Sequence, residues 1–138
     1  VVPSEAHVTI DGRLIAGTST EEFVEEIRRV YKKPFTYELI KSSEGHLTEI
    51  NTPLFELMRK NLLAAHPGSI VVPWMNVGYT DAGELQKLGV KCYGFTPAKM
   101  PQGLEFAKLY HGHDERIPID GLLWGTELFI RTVREFVC

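Results

Sequence analysis

The stretch that decides the predicted fold is AHVTIDGRLIAGTSTEEFVEEIRRVYKKPFTYELIK, residues 6–41. Apolar residues alternate over 6–15 and again over 35–39, which is typical of half-buried strands. Between these two segments the apolar residues recur every three or four positions over 20–32, which predicts an amphipathic helix. The first 41 residues therefore predict a strand–helix–strand unit.

Local signals mark both ends of that first helix. Ser19 and Glu22 have the spacing of a capping box at its start. Pro34 cannot continue a helix and is expected to stop it. The apolar face predicted for this helix consists of Phe23, Val24, Ile27, Val30 and Tyr31.

The rest of the chain alternates helix and strand patterns, which predicts the α/β fold class. Residues 42–51 are polar and punctuated by Ser and Gly, so they are interpreted as a linker. Thr52 is predicted to cap a helix that begins at Pro53 and runs to about 65. The other predicted helices are 81–88 and 119–136, and the predicted strands are 70–73 and 90–95. Residues 96–118 form a loop longer than a compact domain normally carries without a functional reason. The core side predicted for the last helix consists of Leu122, Leu123, Ile130, Val133 and Val137.

Composition excludes several classes of partner. Fifteen Lys and Arg stand against 18 Asp and Glu in 138 residues, for a net charge of −3. This balance gives no basic surface for nucleic acid. The apolar runs are shorter than the ~18 residues that span a bilayer, so no membrane partner is expected. Two distant cysteines, Cys92 and Cys138, favour a reducing compartment such as the cytoplasm.

Three groups of residues can carry chemistry. The loop from His111 to Arg116 contains imidazoles and carboxylates, which are metal ligands or acid–base groups, although it can equally be a loop of solvated charges. The loop 76–81 opens a helix, where backbone N–H groups favour anions, but Thr80 and Asp81 are also ordinary helix caps. Arg13 shares a strand face with Asp11; it is either a surface residue or a clamp for a substrate carboxylate.

Four stretches of the sequence, three of which contain these groups, resemble four motifs of one enzyme superfamily, in the same order along the chain. The motifs are carried by Val1-Val2-Pro3 with Asp11-Gly12-Arg13, by Gly78-Tyr79-Thr80-Asp81-Ala82, by Lys91-Cys92-Tyr93-Gly94-Phe95-Thr96-Pro97, and by His111-Gly112-His113-Asp114-Glu115-Arg116-Ile117. The superfamily is that of the di-zinc metallohydrolases, which includes aminoacylase, acetylornithine deacetylase, succinyl-diaminopimelate desuccinylase and carboxypeptidase. The chain resembles its C-terminal part.

The resemblance implies a domain organisation. Residues 1–41 match the second half of a ferredoxin-like lid and dimerisation domain, residues 42–51 match the crossover linker, and residues 52–138 match the closing segment of the α/β catalytic domain. The partners it implies are the N-terminal part of the same enzyme and a second copy in a homodimer.

The resemblance also implies roles for individual residues. His111 matches a zinc ligand, Arg13 matches the arginine that binds the substrate carboxylate, and the loop Gly78, Tyr79 and Thr80 matches the segment that binds the same group. Two zinc ions, or cobalt or manganese in their place, are implied for the intact enzyme. The general base that would act with a zinc-activated water matches nothing in this chain and is expected upstream of Val1.

The predicted function is therefore hydrolysis of an amide bond in an N-acyl amino acid or small peptide. This chain is predicted to be a C-terminal piece of the enzyme and to be inactive alone. Two departures from the motif bear on substrate binding: Tyr79 stands where a second glycine is usual, and Gly83 where an arginine is frequent. An alternative is a non-catalytic binding or oligomerisation module derived from the same scaffold. A nucleotide-binding domain is disfavoured, since no Gly-rich phosphate loop follows a strand.

Overall fold

The computed structural model describes residues 2–43, 45–76 and 78–138. Within those ranges the regular structure is helical. The helices are α1 (Thr20–Val30), α2 (Pro53–Ala65), α3 (Ala82–Lys87) and α4 (Ile119–Val137), with a 3-10 turn at Phe106–Lys108. None of the helices in the described ranges combines the length and apolar character that crossing a bilayer requires.

The predicted strands are where the sequence interpretation and the structure differ. Residues 6–15, 35–39, 70–73 and 90–95 are irregular, and no strand occurs in the described part of the chain. Nor does a backbone hydrogen bond join any two of these four segments there. Alternating apolar residues predict which side of a segment seeks burial, but a strand also needs a neighbour that satisfies its N–H and C=O groups. The structure thus shows helices joined by irregular segments, and it does not confirm the α/β class or the ferredoxin-like lid.

The helix starts are confirmed at the level of individual hydrogen bonds. Ser19 Oγ accepts from the N–H of Glu22 at 3.1 Å, and Glu22 Oε2 accepts from the N–H of Ser19 at 2.8 Å. These two bonds complete the capping box of α1. Thr52 Oγ1 caps α2 by accepting from the N–H of Phe55 at 3.3 Å, with Pro53 at the first helical position.

The chain divides into two compact units. Unit 1 comprises Val1–Thr48 and Val77–Cys92, and unit 2 comprises Glu49–Asn76 and Tyr93–Cys138. The sequence interpretation instead divides the chain into lid, linker and catalytic segment at 41 and 52, and that assignment stays a prediction.

Unit 1 has a small apolar interior built on α1. Val24 is buried, and Phe23 and Ile27 beside it are half-buried. The predicted burial is wrong at the C-terminal end of this face, where Val30 and Tyr31 are exposed. The helix ends at Val30, two residues before the predicted end, and Tyr31 already has non-helical φ and ψ angles.

Unit 2 is held by the packing of α2 on α4. Met58 of α2 and Leu128 of α4 are buried. The buried amide of Asn61 donates to Thr132 Oγ1 at 3.2 Å, and this hydroxyl donates to the carbonyl of Leu128 at 2.8 Å. Arg131 Nη2 donates to the Asn61 carbonyl at 2.9 Å. Satisfied polar groups of this kind fix the register of two helices, because a shift would leave them buried without partners.

The buried side of α4 is not the one predicted. Leu122, Leu123, Ile130, Val133 and Val137 are 42–71% exposed, whereas the buried residues are Gly121, Gly125, Leu128 and Thr132. These four positions recur every three or four residues and form one stripe. The backbone of residues 97–99 lies directly over it, and the Lys99 N–H donates to the Gly121 carbonyl at 3.3 Å. Only glycine allows so close an approach of two backbones.

Replacing Gly125 by alanine is expected to lower the stability of the chain. An added Cβ would collide with the carbonyl oxygen of Pro97. Overpacking of this kind costs about 1–3 kcal/mol, which exceeds the roughly 1 kcal/mol by which alanine otherwise favours a helix. Urea unfolding checks this. Thr126→Ala on the exposed side of α4 is the matched control, expected within about 0.5 kcal/mol of wild type. A Gly125→Ala protein as stable as that control would contradict the packing described.

Candidate functional site

Arg13 is oriented by its neighbour Asp11. Its Nε and Nη2 atoms both donate to Asp11 Oδ2, at 3.1 and 2.8 Å. The Arg13 side chain is 55% exposed and the Asp11 side chain 71%. The two side chains are in contact although residues 6–15 form no strand, and an ion pair this exposed contributes only about 0–1 kcal/mol. Asp11 therefore sets the direction of the guanidinium, in a setting where a substrate carboxylate can compete for it.

Residues 41–43 and 45–48, here called the crossover segment, touch the chain that follows Arg13. The hydroxyls of Ser42 and Thr20 lie 3.0 Å apart. A Cβ at Gly45 would lie 2.9 Å from the Cα of Ala16, so the two backbones are in direct contact. The crossover segment thus packs against the stretch that joins the Arg13 segment to α1.

The crossover segment also touches the loop that begins at Gly78 and the helix α3 after it. Lys41 Nζ lies 5.7 Å from the centre of the Tyr79 ring. The imidazole of His46 packs on Gly83, where a Cβ would lie 3.0 Å from His46 Nδ1. Further along, the Gln86 side-chain amide donates to Thr48 Oγ1, and Thr48 donates to the Cys92 carbonyl at 2.6 Å. The segments 41–48 and 79–86 therefore run side by side in the same direction.

The loop itself is organised by the turn into α3. Thr80 Oγ1 accepts from the N–H of Ala82 at 3.4 Å, and the Asp81 carbonyl accepts from the N–H groups of Glu84 and Leu85, both at 3.1 Å. The predicted cap from Asp81 is wrong at its side chain, which makes no capping bond. A hydroxyl that accepts still carries its own proton, so Thr80 can donate to an anion from this position.

Arg13 and the Gly78–Thr80 loop both belong to unit 1. The crossover segment contacts the chain after Arg13 at Ala16 and Thr20, and it contacts the loop at Tyr79. The sequence interpretation assigned residue 41 to the lid half and residues 42–51 to the linker, and it missed Lys41 and His46 as neighbours of the loop and of α3. Their contacts join residues 37–38 positions apart, and no periodic pattern reports such pairs.

His111, in unit 2, lies at the tip of a tight turn. Its φ of +57° places it in the left-handed region, and among the described residues no other non-glycine has a positive φ. Such a conformation costs a non-glycine residue about 1–3 kcal/mol and is found mostly at functional sites. The N–H of His111 donates to Glu115 Oε2 at 3.1 Å, and the N–H of Gly112 donates to the Leu109 carbonyl at 3.0 Å. The turn is thereby fixed while the imidazole remains exposed.

The other polar residues of this turn do not join His111 in a metal site. One carboxylate oxygen of Glu115 accepts from the backbone N–H of His111, and the backbone carbonyl of Asp114 accepts from Arg116 Nη1 at 2.9 Å. Across the described ranges, no three His, Cys, Asp or Glu side chains are grouped as metal ligands. Protein zinc sites use three or four such ligands. The residues described here therefore do not fit a zinc ion by themselves.

Metal analysis of this chain is expected to find no stoichiometric zinc after dialysis. His111 is the one ligand the superfamily motif assigns here, and a single imidazole holds zinc too weakly to survive dialysis. Elemental analysis of the dialysed protein checks this. About one zinc per chain would contradict it, and would make His113 and Asp114 ligands together with His111.

Comparison with curated protein sequences finds a relative of this chain. It is 26% identical over 123 residues to Probable carboxypeptidase S-like 2 of Dictyostelium discoideum. The match covers 86% of this chain and 23% of the relative, so the chain spans about a quarter of that protein's length. No protein-family model and no solved structure matches the chain. The similarity supports a relation to a peptidase-related family and no finer assignment.

Proposed function

We propose that this chain is the C-terminal part of a zinc-dependent amidohydrolase or peptidase. Its substrate is an N-acyl amino acid or a small peptide with a free carboxylate. The similarity to a carboxypeptidase S-like protein is the observation that carries the reaction class. Because the chain spans only part of that relative, the catalytic activity belongs to the longer polypeptide.

Unit 1 supplies the binding of the substrate carboxylate. Arg13 presents a guanidinium whose direction is set by Asp11, and a guanidinium binds carboxylates through two parallel N–H bonds. The Gly78–Thr80 loop contributes the Thr80 hydroxyl, which keeps its own proton while it accepts from the Ala82 N–H. Both groups belong to unit 1, where the crossover segment contacts the loop at Tyr79 and the chain after Arg13 at Ala16 and Thr20, and this supports a single binding surface.

Unit 2 supplies His111 as one ligand for zinc. The left-handed turn holds the imidazole exposed at its tip, which suits a ligand that must reach an ion bound mainly by other residues. Those other ligands and the general base come from outside this sequence. When bound, zinc would supply Lewis-acid chemistry at the scissile amide. This chain alone is therefore inactive.

The experiment is an assay of the full-length polypeptide against a panel of N-acyl amino acids and unblocked dipeptides, with release of free amine as the readout. Release from panel members that carry a free carboxylate supports the proposal. A zinc-loaded, folded protein that releases amine from none of them would overturn it, and would favour a non-catalytic binding module on the same scaffold.

A further inference from the structure

A lysine faces the candidate carboxylate-binding loop from the crossover segment. Lys41 Nζ lies 5.7 Å from the centre of the Tyr79 ring, within the range of a cation–π interaction. Tyr79 is 69% exposed, so the pair lies at the surface of unit 1. Tyrosine stands here where the superfamily motif has a second glycine, and its ring is what holds the ammonium beside the loop.

The position of Lys41 is set by more than this one contact. His46 on Gly83 and Thr48 with Gln86 align the crossover segment with the loop and α3 at nearly the same sequence offset as Lys41 and Tyr79. These two contacts, together with the 3.0 Å approach of the Ser42 and Thr20 hydroxyls next to Lys41, hold the crossover segment that begins with that lysine. The lysine therefore reaches the loop because of the fold of unit 1.

We propose that Lys41 is a further binding residue for the substrate carboxylate, and that Tyr79 is its positioning residue. This inference rests on the proposed function. An ammonium over an aromatic face keeps its three N–H donors, and donors directed away from the ring can bind an anion. Arg13 already shares its charge with Asp11, and a second cation beside the loop adds positive charge for a carboxylate bound to that loop.

The test uses the full-length protein and one substrate in two forms, with its carboxylate free or amidated. Lys41→Met is expected to raise KM for the free acid about tenfold with kcat unchanged, because a charge-assisted bond is lost from binding alone. KM for the amide is expected to stay as in wild type. Lys33→Met removes the same charge elsewhere in unit 1 and is expected to change neither value.

Variants of Tyr79 test the positioning role. Tyr79→Phe keeps the aromatic face and is expected to raise KM for the free acid less than Tyr79→Leu does. Tyr79→Leu keeps the bulk and loses the face, and is expected to raise KM for the free acid about two- to fivefold. Lys41→Met combined with Tyr79→Leu is expected to match Lys41→Met alone, because both changes remove the same interaction.

Two results would overturn the inference by different routes. If Lys41→Met raises KM equally for the free acid and the amide, or for neither, while wild type still prefers the acid, Lys41 does not bind the carboxylate and the proposed function stands. If the wild-type protein hydrolyses neither form, the proposed function and this inference fail together. Thermal unfolding of each variant shows whether the changed KM comes from a folded protein.

Discussion

Replacing His111 in the full-length protein is expected to lower kcat/KM by more than about 100-fold. Even residues that only support metal ligands typically cost 10–100-fold in metal affinity or activity, and loss of a ligand itself costs more. Alanine is a poor replacement by itself, since the φ of +57° at this position strains it. His111→Asn suits that backbone better and removes the imidazole, so both variants are expected to show the same loss.

The matched control is the second histidine of the same turn. His113→Ala is expected to lose much less activity, because the resemblance implies no metal role for His113 and the turn's hydrogen bonds involve His111, Gly112 and Glu115. Circular dichroism would confirm that each variant keeps its fold. Equal losses for His111→Asn and His113→Ala would refute the assignment of His111 as the ligand.

Arg13→Met is expected to lower kcat/KM for substrates with a free carboxylate by more than the substitution Arg13→Lys does. Lysine keeps the charge and loses the planar pair of donors, so Arg13→Lys is expected to cost about 1–3 kcal/mol in kcat/KM. Methionine loses both the charge and the pair of donors, so Arg13→Met is expected to cost about 1.5–3 kcal/mol in kcat/KM for each charge-assisted bond that is lost. Steady-state kinetics of both variants checks the order.

The stability of the protein separates this role from a structural one. Arg13 and Asp11 are exposed, and exposed ion pairs contribute about 0–1 kcal/mol, so neither substitution is expected to move the unfolding midpoint appreciably. Asp11→Asn is a second variant for this comparison, since it removes the negative charge that faces Arg13 and keeps the side chain's size. A large loss of stability in Arg13→Met would assign this arginine to the fold of unit 1.

The helix ends could be predicted because their signals are local. Ser19 with Glu22, and Thr52 by itself, satisfy backbone N–H groups within three residues of themselves, so sequence spacing is enough to find them. These caps recur in the structure, whereas the Asp81 side chain makes no capping bond. Only α1 ends two residues before its predicted end.

The buried side of α4 could not be predicted from apolar spacing. Leu122, Leu123 and Ile130 have a helical period, but that period does not say which partner a helix meets. The partner here is the backbone of residues 97–99, and it selects the side with Gly121 and Gly125. The signal available in the sequence was the pair of glycines four residues apart, inside an otherwise well-formed helix.

The candidate site could be predicted by residue and only partly by arrangement. Arg13, the Gly78–Thr80 loop and His111 were found from motifs, and their roles remain proposals. The contacts of the crossover segment depend on how residues distant in sequence fold together, so Lys41 beside Tyr79 could not be predicted. The strands failed for a related reason, because a sheet is a property of neighbouring segments.

The central claim is that unit 1 binds the carboxylate of an amide substrate, and amidating that carboxylate tests it most directly. The measurement is the ratio of kcat/KM for the free acid to that for the amide, in wild type and in Arg13→Met. We expect a large ratio in wild type and a much smaller ratio in Arg13→Met, because the variant lacks one of the groups that distinguish the two substrates. Equal ratios in the two proteins would show that Arg13 does not bind the carboxylate, and a ratio near one in wild type would contradict the whole account.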